Sequence, residues 1–152
     1  MFTLIRPLSA LVLAILAIVA AEAYRPLFAE GAQLGGLNLW VAGIAAVIGF
    51  GYLGPRVDHG FFWTLYYTAQ AVVLTALVAA LGAALRMVFV HGYRRVYREP
   101  MDAVEGFVDQ TLRFMAVAMD RSFLLLLGGG ALICGIVLWL LFRLLERRRL
   151  AR

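Results

Sequence analysis

The sequence predicts an all-α membrane protein: four transmembrane helices, with an amphipathic surface helix between the third and the fourth, in a single integral membrane domain over residues 1–152. Three observations carry this. Hydrophobic residues make up 64% of the chain and charged residues only 15%, where a soluble domain is roughly half apolar and a quarter charged. A water-soluble fold of this length could not hide so much apolar surface. Four runs are apolar for about the 20 residues that a bilayer crossing needs. They are continuous rather than alternating, which selects helices over a barrel.

The first expected span covers about residues 8–24, LSALVLAILAIVAAEAY. Arg6, the apolar run and Ala21-Glu22-Ala23 also resemble a secretory signal with a small-x-small cleavage site. The segment is expected to be retained as a span. The second span covers about 37–53, LNLWVAGIAAVIGFGYL, and the third about 62–90. Between them GPRVDHG is too short for anything but the tip of a hairpin. Gly54 is expected to end one helix, Pro55 to prevent its continuation and Asp58 to cap the next. Tyr52, Trp63, Tyr66 and Tyr67 flank this tip, as expected at headgroup depth.

The third span is long enough to tilt or to project beyond the lipid. After it, Met101, Val104, Val108, Leu112 and Met115 recur at three- or four-residue spacing, with Asp102, Glu105, Asp109 and Arg113 on other faces. This pattern predicts an amphipathic helix over about 101–117, on the membrane surface or against the bundle. Asp109 and Arg113 make a fifth crossing too costly. A soluble partner-binding helix is the alternative. The fourth span covers about 123–145, FLLLLGGGALICGIVLWLLFRLL.

Four spans place both termini on one side. Arginines then divide seven to seven between the two sides. The RRR at 147–149 and the amino terminus favour both ends inside under the positive-inside rule.

Helices in lipid gain little from further burial of hydrocarbon, so small residues that permit close approach mark their contacts. Ala71, Thr75, Ala79 and Ala83 form such a ladder on the third span; Ala45 and Gly49 serve the second, Ala131 and Gly135 the fourth. These faces hold the four helices together or join two protomers. A leucine at Ala79 is expected to push helices apart, and one at Val78 to be nearly neutral.

Glu22, Arg25, Arg56 and Arg86 are the candidate polar sites. Glu22 and Arg25, three apart, read as an interfacial ion pair; Arg25, Arg56 or Arg86 is the candidate for holding an anion. Gln70 and Thr75 lie deeper and read as interhelical hydrogen bonds. No catalytic, cofactor-binding or metal-binding residues are assigned. Cys134 stands alone, and with His59 and His91 gives no metal-ligand spacing. No nucleophile stands beside a base, and the glycines at 128–130 lie in an apolar helix rather than a phosphate loop. The arginines form separate clusters, so nucleic acid is not an expected partner. The lipid bilayer is, with a larger membrane complex or a homo-oligomer as candidates.

The run EAYRPLFAEG at 22–31, followed by LGGLNLWVAGIAAVIGFGYLGPR at 34–56, resembles the TrgA family of tellurite-resistance membrane proteins. That family comprises small inner-membrane proteins known mostly from alphaproteobacteria. Arg25, Pro26, Leu27, Phe28, Glu30 and Gly31 match its element after the first span. Gly54, Pro55 and Arg56 match its Gly-Pro-Arg at the close of the second, and Asp102, Glu105 and Asp109 its acidic segment before the last. The likeness covers roughly residues 8–146, and the bulk of FFWTLYY after Gly60 departs from it. It implies a multi-pass protein of the bacterial inner membrane associated with tolerance of the tellurite oxyanion. It implies no catalytic residues, and it supports an intact first span because the matching element follows directly. The alternative expectation is a non-catalytic accessory or scaffold subunit of a larger membrane complex.

Overall fold

A computed structural model describes residues 5–24, 36–93 and 100–150. Helix α1 spans Ile5–Tyr24 and α2 spans Leu37–Ile48. The latter runs on through a wider π turn, Gly49–Leu53, and a tighter 3-10 turn, Gly54–His59. Helix α3 spans Phe61–Tyr93, α4 Pro100–Ala118 and α5 Arg121–Leu150. Among the described residues, four stretches are long and apolar enough to cross a membrane: Ile5–Tyr24, Asn38–Val57, Phe61–Phe89 and Arg121–Leu145.

The long helices form a closed ring in the order α1, α2, α3, α5, each packed on the next, and α4 packs mainly on α3. On α1 the buried positions are Ile5, Ser9, Leu13, Ala17, Ala20 and Ala21, a three- and four-residue spacing that draws one stripe. Small residues in that stripe let α2 come close. Gly49 faces Ala10 so tightly that an added Cβ would lie 2.7 Å from the Ala10 Cα. Ser9 then donates one hydroxyl to the Gly49 carbonyl at 2.7 Å and to the Arg6 carbonyl at 2.8 Å.

The hairpin tip differs from its expected chemistry. Gly54 does not end the helix; its backbone is right-handed, φ −52° and ψ −43°. It is small because a Cβ there would sit 2.9 Å from Arg6 Cγ and 3.0 Å from Arg6 Cα. Pro55 falls in the first turn of the 3-10 segment, where a missing N–H costs nothing. The break comes at Gly60, whose φ of 106° favours glycine. The Asp58 side chain, expected to cap α3, lies outside the described residues; Thr64 closes the first turn instead, its N–H and its hydroxyl both reaching the Gly60 carbonyl.

Helix α4 presents a different face from the one the pattern suggested. Phe114 is buried, and Phe107, Thr111 and Ala118 on the same side are half-buried. Met101, Val104, Val108 and Leu112 point outward. The helix is apolar over a broad arc, and the ring takes the aromatic part of it. Phe107 and Phe114, seven residues apart, were the signal for that face.

The core is slight and rich in alanine, around Leu13, Ala45, Leu53, Val57, Ala71 and Leu138. Large apolar side chains instead crowd the outside: Leu39 is 82% exposed, Phe62 80% and Val47 73%.

Candidate functional site

The π turn sets Tyr52 and Arg56 on one side of the chain at the terminal end of the ring. Arg56 Nη1 donates to the Tyr52 carbonyl at 2.8 Å. Its guanidinium lies 4.2 Å from the Tyr52 ring centroid and 5.7 Å from that of Tyr67, within cation–π range. Trp63 stacks on Tyr67 at 5.8 Å. The Tyr52 hydroxyl donates to Gln70 Oε1 at 2.7 Å, and Gln70 Nε2 donates to the Tyr66 oxygen at 3.0 Å. Gln70 therefore ties α3 to the end of α2, as its depth suggested. Arg143 lies over Trp139 at 4.9 Å, and Trp139 in turn meets Phe61. The arrangement holds cationic groups against aromatic faces at fixed height. Tyr52 and Gln70 were each visible in the sequence, but their pairing depends on the π turn, which no residue pattern announced.

At the opposite end Asn38 Nδ2 donates to Glu22 Oε1 and closes the α1–α2 seam. Arg25, the expected ion-pair partner of Glu22, lies outside the described residues. Arg86 is exposed on α3. It follows Phe61 by 25 residues, roughly 37 Å along a helix axis. Arg56 and Arg86 therefore stand at opposite ends and cannot hold one anion together.

The hydroxyls within the ring are turned to backbone. Thr64 Oγ1 donates to the Val57 carbonyl at 2.8 Å, Thr68 to Thr64 at 2.7 Å and Thr75 to Ala71 at 2.7 Å. Thr75 thus bonds within its own helix, not between helices as expected. Among the described residues no group of His, Cys, Asp and Glu side chains could hold a metal ion. Cys134 is buried with a free thiol.

The small-residue positions divide into two kinds. Ala71 is 0% exposed, Thr75 and Ala131 are buried, and a Cβ on Gly135 would meet Leu65 Cδ1 at 2.7 Å. Ala79 and Ala83 are only half-buried and line a cavity of about 100 Å³ instead of a tight contact. The expectation that a leucine at Ala79 pushes helices apart is therefore revised: the space is there to receive it.

Over the described residues, fold and site together define a small bundle of five α-helices with an apolar exterior and an arginine–aromatic cluster at one end. The chain matches no family model, no curated protein and no solved structure.

Proposed function

We propose that this chain is a multi-pass protein of a bacterial inner membrane, associated with tellurite tolerance, that acts without catalysis as an accessory or scaffold subunit of a larger membrane assembly. The membrane reading rests on one observation above all. Side chains as large as Leu39, Val47 and Phe62 face outward from all round the ring, a surface that water would drive to aggregate and lipid would solvate. The association with tellurite rests on the resemblance to the TrgA family in the elements at 25–31 and 54–56.

The accessory role is supported by the way polar groups are spent. Among the described residues, hydroxyls in the ring go to carbonyls, Gln70 goes to two tyrosines, and Arg56 and Arg86 stand at opposite ends, so these residues offer an oxyanion no succession of donors across the bundle. The exposed stripe of α4 offers a surface for a partner or for the lipid boundary. Oxyanion transport is the second reading, favoured by the fixed position of Arg56. Both termini facing the cytoplasm suits Arg6, Arg56 and Arg143 at that end.

Purification in mild detergent separates the two. A stoichiometric partner is expected. A chain that purifies alone and carries tellurite into liposomes would overturn the accessory role. Loss of the gene should lower tellurite tolerance, and unchanged tolerance would remove the association.

A further inference from the structure

We propose that the alanine-walled cavity between α1, α3, α4 and α5 binds a short stretch of hydrocarbon chain from a membrane phospholipid, with α4 as its roof. The proposal rests on the four long helices being membrane spans. Ala17, Ala79 and Ala83 supply its walls, and Tyr24, Phe114 and Phe123 close one end. Its volume is about 100 Å³. Apolar cavities of comparable size, about 150 Å³, stay free of water and take up benzene or xenon.

The chemistry of the walls selects the occupant. Two hydroxyls reach the lining, and both are used: Thr75 donates to the Ala71 carbonyl at 2.7 Å and Tyr24 to the Phe114 carbonyl at 2.8 Å. A water molecule there would lack the partners it needs. A ligand bearing a polar group would strand it. Hydrocarbon alone loses nothing on entry. The surroundings supply it, because the α3 wall is only half-buried at Ala76, Ala79, Ala80 and Ala83. The opening therefore lies on the apolar exterior, where acyl chains stand against the bundle. A cross-element bond, Tyr24 to Phe114, holds the roof, and Phe123 lies 5.2 Å from the Tyr24 ring.

Intermolecular NOEs between acyl-chain protons and alanine methyls test this, using deuterated, methyl-labelled protein in phosphatidylcholine nanodiscs. Ala17 and Ala131 are both 6% exposed, but only Ala17 lines the cavity; Ala69 is exposed on α3. Cross-peaks are expected at Ala69 and Ala17 and none at Ala131. Ala79→Leu, which fills the space, should abolish the Ala17 peak and spare that of Ala69. Ala83→Leu serves the same purpose should the first variant fail to fold. A signal at Ala69 with Ala17 as silent as Ala131 overturns the lipid site alone. So does an Ala17 peak that survives the filling substitution. Silence at Ala69 overturns the membrane reading, and the lipid site with it.

Discussion

Gly49 and Gly43 are six residues apart on the same strand of helix, and opposite neighbours give them opposite roles. A methyl group on Gly49 would meet backbone, Ala10 Cα at 2.7 Å and the Ser9 carbonyl at 2.8 Å, whereas nothing lies within 4 Å of one on Gly43. Backbone cannot swing aside as a side-chain tip can, so α1 and α2 must separate to admit it. Gly49→Ala is expected to cost about 1–3 kcal/mol, the usual range for an overpacked site, while Gly43→Ala is neutral or mildly stabilising through helix propensity. Thermal unfolding in one detergent compares them, and equal melting temperatures would show that the seam is looser than its geometry. Ser9→Ala should cost about 0.5–1.5 kcal/mol, the net worth of a buried hydrogen bond. Gly130 is a contrasting case: the close neighbour of an added Cβ is the Leu16 side-chain tip, which rotation can clear.

At the scale of elements, α3 shows how far a sequence pattern reaches. The four-residue ladder from Ala71 to Ala83 was legible as a small-residue face. Its spacing could not reveal that the neighbouring helices stay close at Ala71 and diverge by Ala79, because divergence is set by the partners. Ala71→Leu should therefore lower the melting temperature, with a cost of about 1–3 kcal/mol, and Ala79→Leu should leave it unchanged or raise it. The reverse order would mean that the cavity closes in the membrane. Helix α4 makes the same point. Its existence and its charged side were readable from Asp102, Glu105, Asp109 and Arg113, but its docked side was not, since Met101–Leu112 and Phe107–Phe114 are both apolar rows. The Tyr24 hydroxyl bond to Phe114 is invisible in a sequence because 90 residues separate the pair. Tyr24→Phe should weaken α4 docking by about 1 kcal/mol, seen as faster amide hydrogen exchange confined to α4. Exchange that rises equally in α1 would assign the bond to general stability.

For the molecule as a whole, the order and lengths of the long apolar helices followed from composition, and each helix lies within a few residues of its expected bounds. The ring arrangement did not follow, because uniformly apolar helices carry no directional stripe to say which neighbours they choose. Ends could be assigned only from contacts: Arg6 lies against Gly54, Glu22 against Asn38, and Phe61 against Trp139. These put the 54–59 tip at the terminal end and α4 at the other. Single cysteines at 58 and 105 should accordingly react with an impermeant maleimide from opposite faces of spheroplasts and inverted vesicles. Reaction from one face would remove the four-span arrangement.

The α1–α2 seam is closed at one end by Ser9 on Gly49 and at the other by Asn38 on Glu22, with every participant inside residues 5–59. Chains are made from the amino terminus and fold in that order. The first two helices can therefore zip together while α3 is still within the ribosome, presenting later segments with a preformed surface. The contacts of α5 can form only after those of the helices before it; they hold Gly130 against Leu16 and Gly135 against Leu65. The seam thus sets an order among these helices: a change at Gly49 would act on the pairing of the first two, and one at Gly135 on the step that closes the ring.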